Sequence, residues 1–176
     1  ITGGCFCCRF NSLLDAAEKL TQATRPDVFL AEPVGSCTDL IAPVSYPLRR
    51  IYGSQFTVAP LSVMVDPLRA SRILGLAEGR SVSEKVNYVY RKQLQEADFI
   101  VINKCDAQPP ERIEQLRTAL AENFPRSRVF ACSAKKGTGV NIWFDAVLAD
   151  ENPASRALEI DYDIYAEGEA LLGWVN

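Results

Sequence analysis

The tetrapeptide Asn103-Lys104-Cys105-Asp106 carries side chains that could recognise a guanine base. An ionised Asp106 can accept hydrogen bonds from the ring N–H and the exocyclic amine of guanine, while the amide of Asn103 can bond to the Hoogsteen edge. The aliphatic stem of Lys104 can cover the face of the ring. Adenine would leave the carboxylate without donors, and a site built in this way rejects the wrong ligand by roughly 10⁴-fold or more. The tetrapeptide therefore predicts a guanine-binding loop.

A second loop, Ser133-Ala134-Lys135, follows the apolar residues 129–131, just as the first loop follows residues 99–102. Both loops thus come at the carboxyl end of a predicted strand, where open α/β sheets bind ligands. The alternative is a chance N-K-x-D sequence in a surface turn, and the matching position of the second loop counts against it. The candidate nucleotide-binding residues are Asn103, Lys104, Asp106, Ser133, Ala134 and Lys135.

Cys5, Cys7 and Cys8 place three soft ligands within four residues, a pattern that favours a thiophilic ion such as zinc or copper(I). If the segment is extended, Cys5 and Cys7 project to the same side. Three protein ligands leave one coordination position open, and an open position suits an ion that is handed on. The chain has no His, so a fourth ligand would be another Cys, an Asp or Glu, or a residue of a second chain. The alternative is a group of reduced core cysteines.

Glu32-Pro33-Val34-Gly35 follows another predicted strand and is a candidate catalytic segment. A carboxylate such as Glu32 can act through magnesium-bound water, and the N–H of Gly35 can approach a γ-phosphate because no side chain stands in the way. Taken alone, this signal is weak. An acidic residue at the start of a helix, followed by a turn, would give the same pattern.

Apolar runs alternate with helical patterns along the chain, which is typical of βαβ units and a mostly parallel sheet. The sequence therefore predicts an α/β fold of three layers. Buried strands are predicted at residues 28–31, 61–66, 99–102 and 128–132. Helices are predicted from the apolar spacing around residues 13–20, 40–48, 84–94, 113–120 and 141–149.

Local signals set the expected ends of several helices. Ser81-x-x-Glu84 has the form of a capping box at the start of one helix, and Pro109-Pro110 opens the next. Pro43 and Pro47 are expected to shorten or kink the helix that contains them. Asp66, at the end of a predicted strand, is expected to cap the following helix more than to face a ligand.

Residues 1–150 are predicted to form the nucleotide-binding domain and residues 151–176 a linker followed by the connection into a second domain. The net charge of −3 gives no reason to expect a nucleic-acid partner. No apolar run approaches the roughly 20 residues of a membrane span, so no membrane partner is expected. The six cysteines do not follow the spacing of a small disulfide-bonded domain, which favours thiols in a reducing compartment and a cytoplasmic location.

Taken together, these motifs resemble those of the CobW-like metal-insertion GTPases, a P-loop family related to the hydrogenase and urease nickel-insertion GTPases. Gly4-Cys5-Phe6-Cys7-Cys8 is similar to the G-C-x-C-C metal motif of that family, and Glu32-x-x-Gly35 to its E-x-x-G segment. The resemblance implies a sheet of the P-loop NTPase type, GTP with magnesium as cofactors, and zinc or cobalt at the cysteines. It also implies a client metalloprotein or cofactor pathway as partner and allows a nucleotide-dependent homodimer.

The chain departs from the family in one respect, because G-x-x-x-x-G-K-[ST] occurs nowhere in it. In the family that phosphate-binding loop precedes the cysteines, so it is expected upstream of Ile1. The fold would then be incomplete at its N-terminus, apolar sheet edges would be exposed, and this chain alone would be inactive. One alternative is a non-hydrolysing metal-binding or interaction protein, and another is an ordinary regulatory GTPase, against which the cysteines argue.

Overall fold

A three-stranded sheet forms the centre of the described part of the protein. The structure is a computed structural model that describes residue 5 and residues 9–79, 83–149 and 159–173. The strands lie in the order β1 (Ser62–Val65), β2 (Phe99–Ile102) and β3 (Arg128–Ala131). Both pairs are parallel, so the loops that follow the strands lie at the same edge of the sheet. The last three predicted strands are confirmed.

Helices connect the strands and flank the sheet. Within the described ranges, no helix is both long enough and apolar enough to cross a membrane. The α-helices are α1 (Phe10–Thr24), α2 (Tyr46–Tyr52), α3 (Pro67–Ile73), α4 (Glu84–Glu96), α5 (Pro110–Asn123), α6 (Val140–Ala149) and α7 (Tyr162–Gly173).

The sheet is covered on both faces because side chains alternate along each strand. Ile100 and Ile102 of β2 are fully buried in a core shared with α3, α4 and α5. Phe99 and Val101 lie on the opposite face, in a core that includes Trp143 of α6. The three-layer α/β fold with a parallel sheet is therefore confirmed.

The helix expected around residues 40–48 is irregular. A π-helical turn (Ile41–Ser45) leads directly into α2. Pro43 and Pro47 lie within these two elements, and neither can donate a backbone hydrogen bond. The helix is thus short and irregular, as the two prolines predicted.

The start of α4 differs from the prediction of a capping box at Ser81. Ser83 is the N-cap, and its hydroxyl accepts a hydrogen bond from the backbone N–H of Val86 at 3.3 Å. Ser81 lies outside the described residues, and the prediction was wrong because Ser83 already occupies the cap position directly before Glu84. The apolar face of the helix is confirmed, since its buried residues include Val86, Val89, Tyr90 and Leu94.

Helix α7 packs against α4. Gly168 allows this approach, because a Cβ at that position would lie 2.6 Å from the carbonyl oxygen of Lys85 and 2.6 Å from Cγ2 of Val89. An ion pair joins Lys85 to Glu167 at the same contact. The expected connection from residues 151–176 into a second domain stays a prediction.

Residues 28–31 do not form the predicted strand. Val28 is 52% exposed and Leu30 is 83% exposed, and the segment has no regular secondary structure. A strand needs a neighbour to satisfy its backbone hydrogen bonds, and none of the described strands pairs with this segment. Met64 of β1 is also 47% exposed.

Candidate functional site

The side chain of Asn103 joins the two predicted guanine loops. Asn103 follows β2 directly, and its backbone N–H donates to the carbonyl of Val65 at 3.0 Å. Its Oδ1 accepts hydrogen bonds from the backbone N–H groups of Lys104 at 2.8 Å and Ala134 at 3.0 Å. Its Nδ2 amine donates to no residue in the described parts of the chain, so it can serve an acceptor on a ligand.

Asp106 and Ser133 meet across the same gap between loops. The hydroxyl of Ser133 donates to Oδ1 of Asp106 at 2.6 Å, and Nζ of Lys136 lies 3.9 Å from Oδ2. The hydrogen bond from Ser133 is the main cause that holds the pKa of Asp106 below its usual value of 3.8, and the charges of Lys136 and Lys135 add to it against a penalty from burial. The carboxylate is therefore ionised at neutral pH and has lone pairs left for a ligand.

Lys104 adopts a left-handed conformation with φ of 60°. Its Nζ donates to Oδ2 of Asp66 at 2.9 Å, so its stem runs between the ends of β2 and β1. Asp66 also accepts hydrogen bonds from the backbone N–H groups of Leu68 and Arg69, which confirms its expected role as the cap of α3. Burial raises the pKa of Asp66, but the bond from Lys104 and these N–H groups outweigh burial and leave the pKa below 3.8.

Two glycines form the turn that closes the second loop. Gly137 and Gly139 have φ of 73° and 74°, a region that favours glycine. A Cβ at Gly139 would overlap the carbonyl oxygen of Ala131. Ser133 donates its N–H to the carbonyl of Thr138 at 2.9 Å. These glycines therefore set the path of the loop that carries Ser133.

Glu32 and Gly35 lie on an exposed segment apart from the guanine loops. A Cβ at Gly35 would meet no atom within 4 Å, so the backbone there is open to a ligand. In the part of the chain that is described, no hydrogen bond connects Glu32 or Gly35 to either guanine loop.

Helix α4 holds the residues that follow Gly35. Nε2 of Gln93 donates to the carbonyls of Gly35 and Cys37, both at 2.9 Å. Oε1 of Glu96 accepts from the N–H of Ile41 at 2.7 Å. Glu96 is buried, and burial is the main cause that raises its pKa above 4.5. The chain from Gly35 to Ile41 is thus anchored by side chains of helix α4 rather than by the sheet.

Of the three predicted metal ligands, only Cys5 lies in the described part of the chain, and Cys7 and Cys8 lie outside it. Sγ of Cys5 is 2.9 Å from Sγ of Cys37. Among the described residues, no group of three or more Cys, Asp or Glu side chains could hold a metal ion. The structure therefore brings Cys5 next to a cysteine that the motif does not include.

Several residues of these sites were not singled out by their sequence. Gln93 and Glu96 carry a usable signal, because they are polar residues beside Leu94 on the apolar face of α4. Gly137 and Gly139 carry one too, since two glycines between a strand and a helix favour a tight turn. Cys37 carries only the signal of its residue type, because Cys5 is 32 residues away in sequence and no local pattern connects the two.

Comparison with known proteins identifies one family. A model of the family described as CobW/HypB/UreG, nucleotide-binding domain, matches residues 1–131. These residues include the cysteine motif, the acidic segment and the first guanine loop. Neither the comparison with curated proteins nor the comparison with solved structures found a match.

Proposed function

Since this chain belongs to the CobW/HypB/UreG family of nucleotide-binding domains, we propose that it recognises guanine in a GTPase that delivers a thiophilic metal. The observation that carries the proposal is the joining of two loops by Asn103, which bonds to the backbone of Lys104 and Ala134. Across the same gap the hydroxyl of Ser133 donates to Asp106 and is the main cause that keeps the pKa of this carboxylate below 3.8.

The donors and acceptors left over at this edge suit guanine. The carboxylate of Asp106 can accept from the ring N–H and the exocyclic amine, and the Nδ2 of Asn103 can donate to N7 or O6. Adenine presents an acceptor at its ring nitrogen, where guanine presents a donor, so it would repel the carboxylate. The site therefore favours guanine by charge as well as by geometry.

We assign Glu32 and Gly35 to the phosphate end of the nucleotide. An exposed carboxylate at Glu32 suits a hydrated magnesium ion, which would neutralise phosphate charge when bound. The open space at Gly35 supports a close approach of phosphate oxygen to its N–H. The Lys and Ser/Thr that hold the β- and γ-phosphates in P-loop proteins have no counterpart motif in these 176 residues.

The cargo is a thiophilic ion, zinc or cobalt, carried by Cys5, Cys7 and Cys8. Two or more adjacent thiolates bind such ions in preference to magnesium. A client metalloprotein or cofactor pathway would receive the ion, and a homodimer that depends on nucleotide is compatible with this role. Replacing all three cysteines by Ser in the full-length protein should abolish zinc binding by equilibrium dialysis, and unchanged binding would refute the cargo site.

Asp106→Asn in the full-length protein tests the proposed base recognition. Xanthine has a carbonyl where guanine has its amine, so an amide in place of the carboxylate can donate to xanthine but loses the charged bonds to guanine. We expect GTP affinity to fall on the order of 100-fold while XTP affinity rises. Asp15→Asn, at an exposed position on α1, is the control and should leave both affinities unchanged. If D106N still prefers GTP as the wild type does, the base assignment is wrong.

The second candidate function is a metal-binding protein that does not hydrolyse nucleotide. Such a protein would keep the fold and the cysteine motif without a phosphate-binding loop. Phosphate release from GTP by the full-length protein separates the two functions, because the alternative predicts none above the uncatalysed rate.

A further inference from the structure

Cys37 and Cys5 bring two sulfurs together from distant parts of the sequence. Their Sγ atoms are 2.9 Å apart, and no disulfide joins them. Cys37 is 5% exposed and forms a small apolar cluster with Leu40 and Val44, against which Cys5 packs. Cys5, the first cysteine of the predicted cargo motif, thus lies next to a buried thiol on another segment.

The separation of these sulfurs is close to what one metal ion requires. With Zn–S bonds of about 2.3 Å and tetrahedral angles, two thiolates on the same ion lie about 3.8 Å apart. The pair would have to open by less than about 1 Å to bind one ion in this way. Thiol sulfur is also the ligand type that zinc, copper(I) and other thiophilic ions prefer.

The backbone around Cys37 is held in place without a metal. The N–H of Cys37 donates to the carbonyl of Val34 at 2.8 Å, and its own carbonyl accepts from Nε2 of Gln93 at 2.9 Å. A ligand whose backbone is already fixed loses less conformational entropy when the ion binds. Cys37 is therefore a prearranged ligand rather than one that must be recruited.

We propose that Cys37 is a ligand of the same thiophilic ion that Cys5 binds. This inference rests on the proposed cargo site and extends it beyond the Cys5, Cys7 and Cys8 motif. Each of the two thiols gives its proton to solvent as its thiolate binds, so the pair releases two protons per ion. No oxidant or reductant takes part.

Cys37 lies close to the segment that we assign to phosphate. It follows Gly35 by two residues, and Nε2 of Gln93 donates to the carbonyls of both residues.

Cobalt(II) titration of the full-length, reduced protein tests the proposal. Cobalt–thiolate complexes absorb in the near ultraviolet with an intensity that rises with the number of thiolates. Cys37→Ala should lower this absorbance by the share of one thiolate and weaken affinity on the order of 100-fold. Cys132→Ala is the matched control. Cys132 is also buried, at 2% exposure, but it lies in the core beside β2 and β3. The cobalt titration of this variant should match that of the wild type. Equal absorbance and affinity in C37A and wild type would overturn the proposal.

A second measurement needs no substitution and therefore does not depend on the folding of C37A. The ¹³Cβ signal of Cys37 in the wild-type protein should move to the position of a zinc-bound thiolate when zinc is added. A Cys37 signal that stays in place while the Cys5 signal moves would refute the inference and leave the proposed cargo site intact. If neither signal moves and the triple Cys5, Cys7 and Cys8 variant binds zinc as the wild type does, the cargo site itself is wrong.

Discussion

Residues Phe99–Ile102 and residues 28–31 are both apolar runs of four that lead into a polar loop, but they differ in structure. Every residue of the first run is buried, and β1 and β3 bond to it on either side. In the second run Leu30 is 83% exposed, and none of the described strands pairs with it. Apolar composition therefore makes a strand possible, and hydrogen-bonding neighbours make it form.

The same difference separates the two parts of the candidate site. The guanine loops follow paired strands, and Asn103 and Ala134 join them by a direct bond. The Glu32–Gly35 segment follows an unpaired run, and Gln93 and Glu96 of α4 hold only the residues from Gly35 onward. The proposed base end is thus fixed by the sheet, whereas the proposed phosphate end depends on helix side chains.

The largest effect on stability is expected from shortening a side chain in the paired run, residues Phe99–Ile102. Ile100→Ala removes a fully buried side chain and should lower the free energy of unfolding by about 2–5 kcal/mol. Leu30→Ala, the matched change in the unpaired run, should alter it by no more than about 0.5 kcal/mol. Urea unfolding followed by circular dichroism measures both, and equal losses would show that residues 28–31 are buried in solution.

The turn that closes the second guanine loop gives the next comparison. Gly139→Ala places a Cβ on a residue with a left-handed backbone, and this Cβ also overlaps the carbonyl oxygen of Ala131. The substitution should lower the free energy of unfolding by about 3 kcal/mol. Gly137→Ala has the same φ but open space around its Cβ, so it should cost only about 1–2 kcal/mol. Thermal unfolding of the two variants separates these values. If G137A were the less stable of the two, packing against β3 would not be what constrains this loop.

Glu96 gives the last comparison, which concerns the residues that side chains of α4 hold in place. Glu96→Ala leaves the N–H of Ile41 without its acceptor in a buried place, at a cost of about 1–3 kcal/mol. Because burial raises the pKa of Glu96 above 4.5, the folded protein holds this proton more tightly than the unfolded chain. Its contribution to stability is therefore full below pH 4.5 and is lost as the pH rises through the raised pKa.

Glu96→Gln should keep the hydrogen bond to Ile41 and remove this pH dependence. The measurement is the free energy of unfolding by urea at a series of pH values from about 4 to about 8. A decline with pH that persists unchanged in E96Q would assign it to another group.

The fold could be predicted from the sequence wherever a local apolar pattern also had a neighbouring element to pack against. The apolar faces of α4 and α5 and the three paired strands follow from spacing alone, because each buries a side that the sheet can cover. The cap of α4 could not be predicted, since Ser81 and Ser83 are chemically alike and only the course of the chain selects one. The proximity of Cys37 to Cys5 could not be predicted either, because the two residues are 32 positions apart and no local sequence pattern indicates the contact.

The sequence by itself determined which chemical groups this protein offers: a carboxylate and an amide that we propose bind guanine, thiols that we propose bind a soft metal, and strands apolar enough to form a core. Only the tertiary structure decided which groups act together. Asn103 meets Ala134 at the sheet edge, and Cys5 meets Cys37 because both pack in one small apolar cluster. Side-chain type sets what a residue can bind, but long-range packing sets which residues share a ligand.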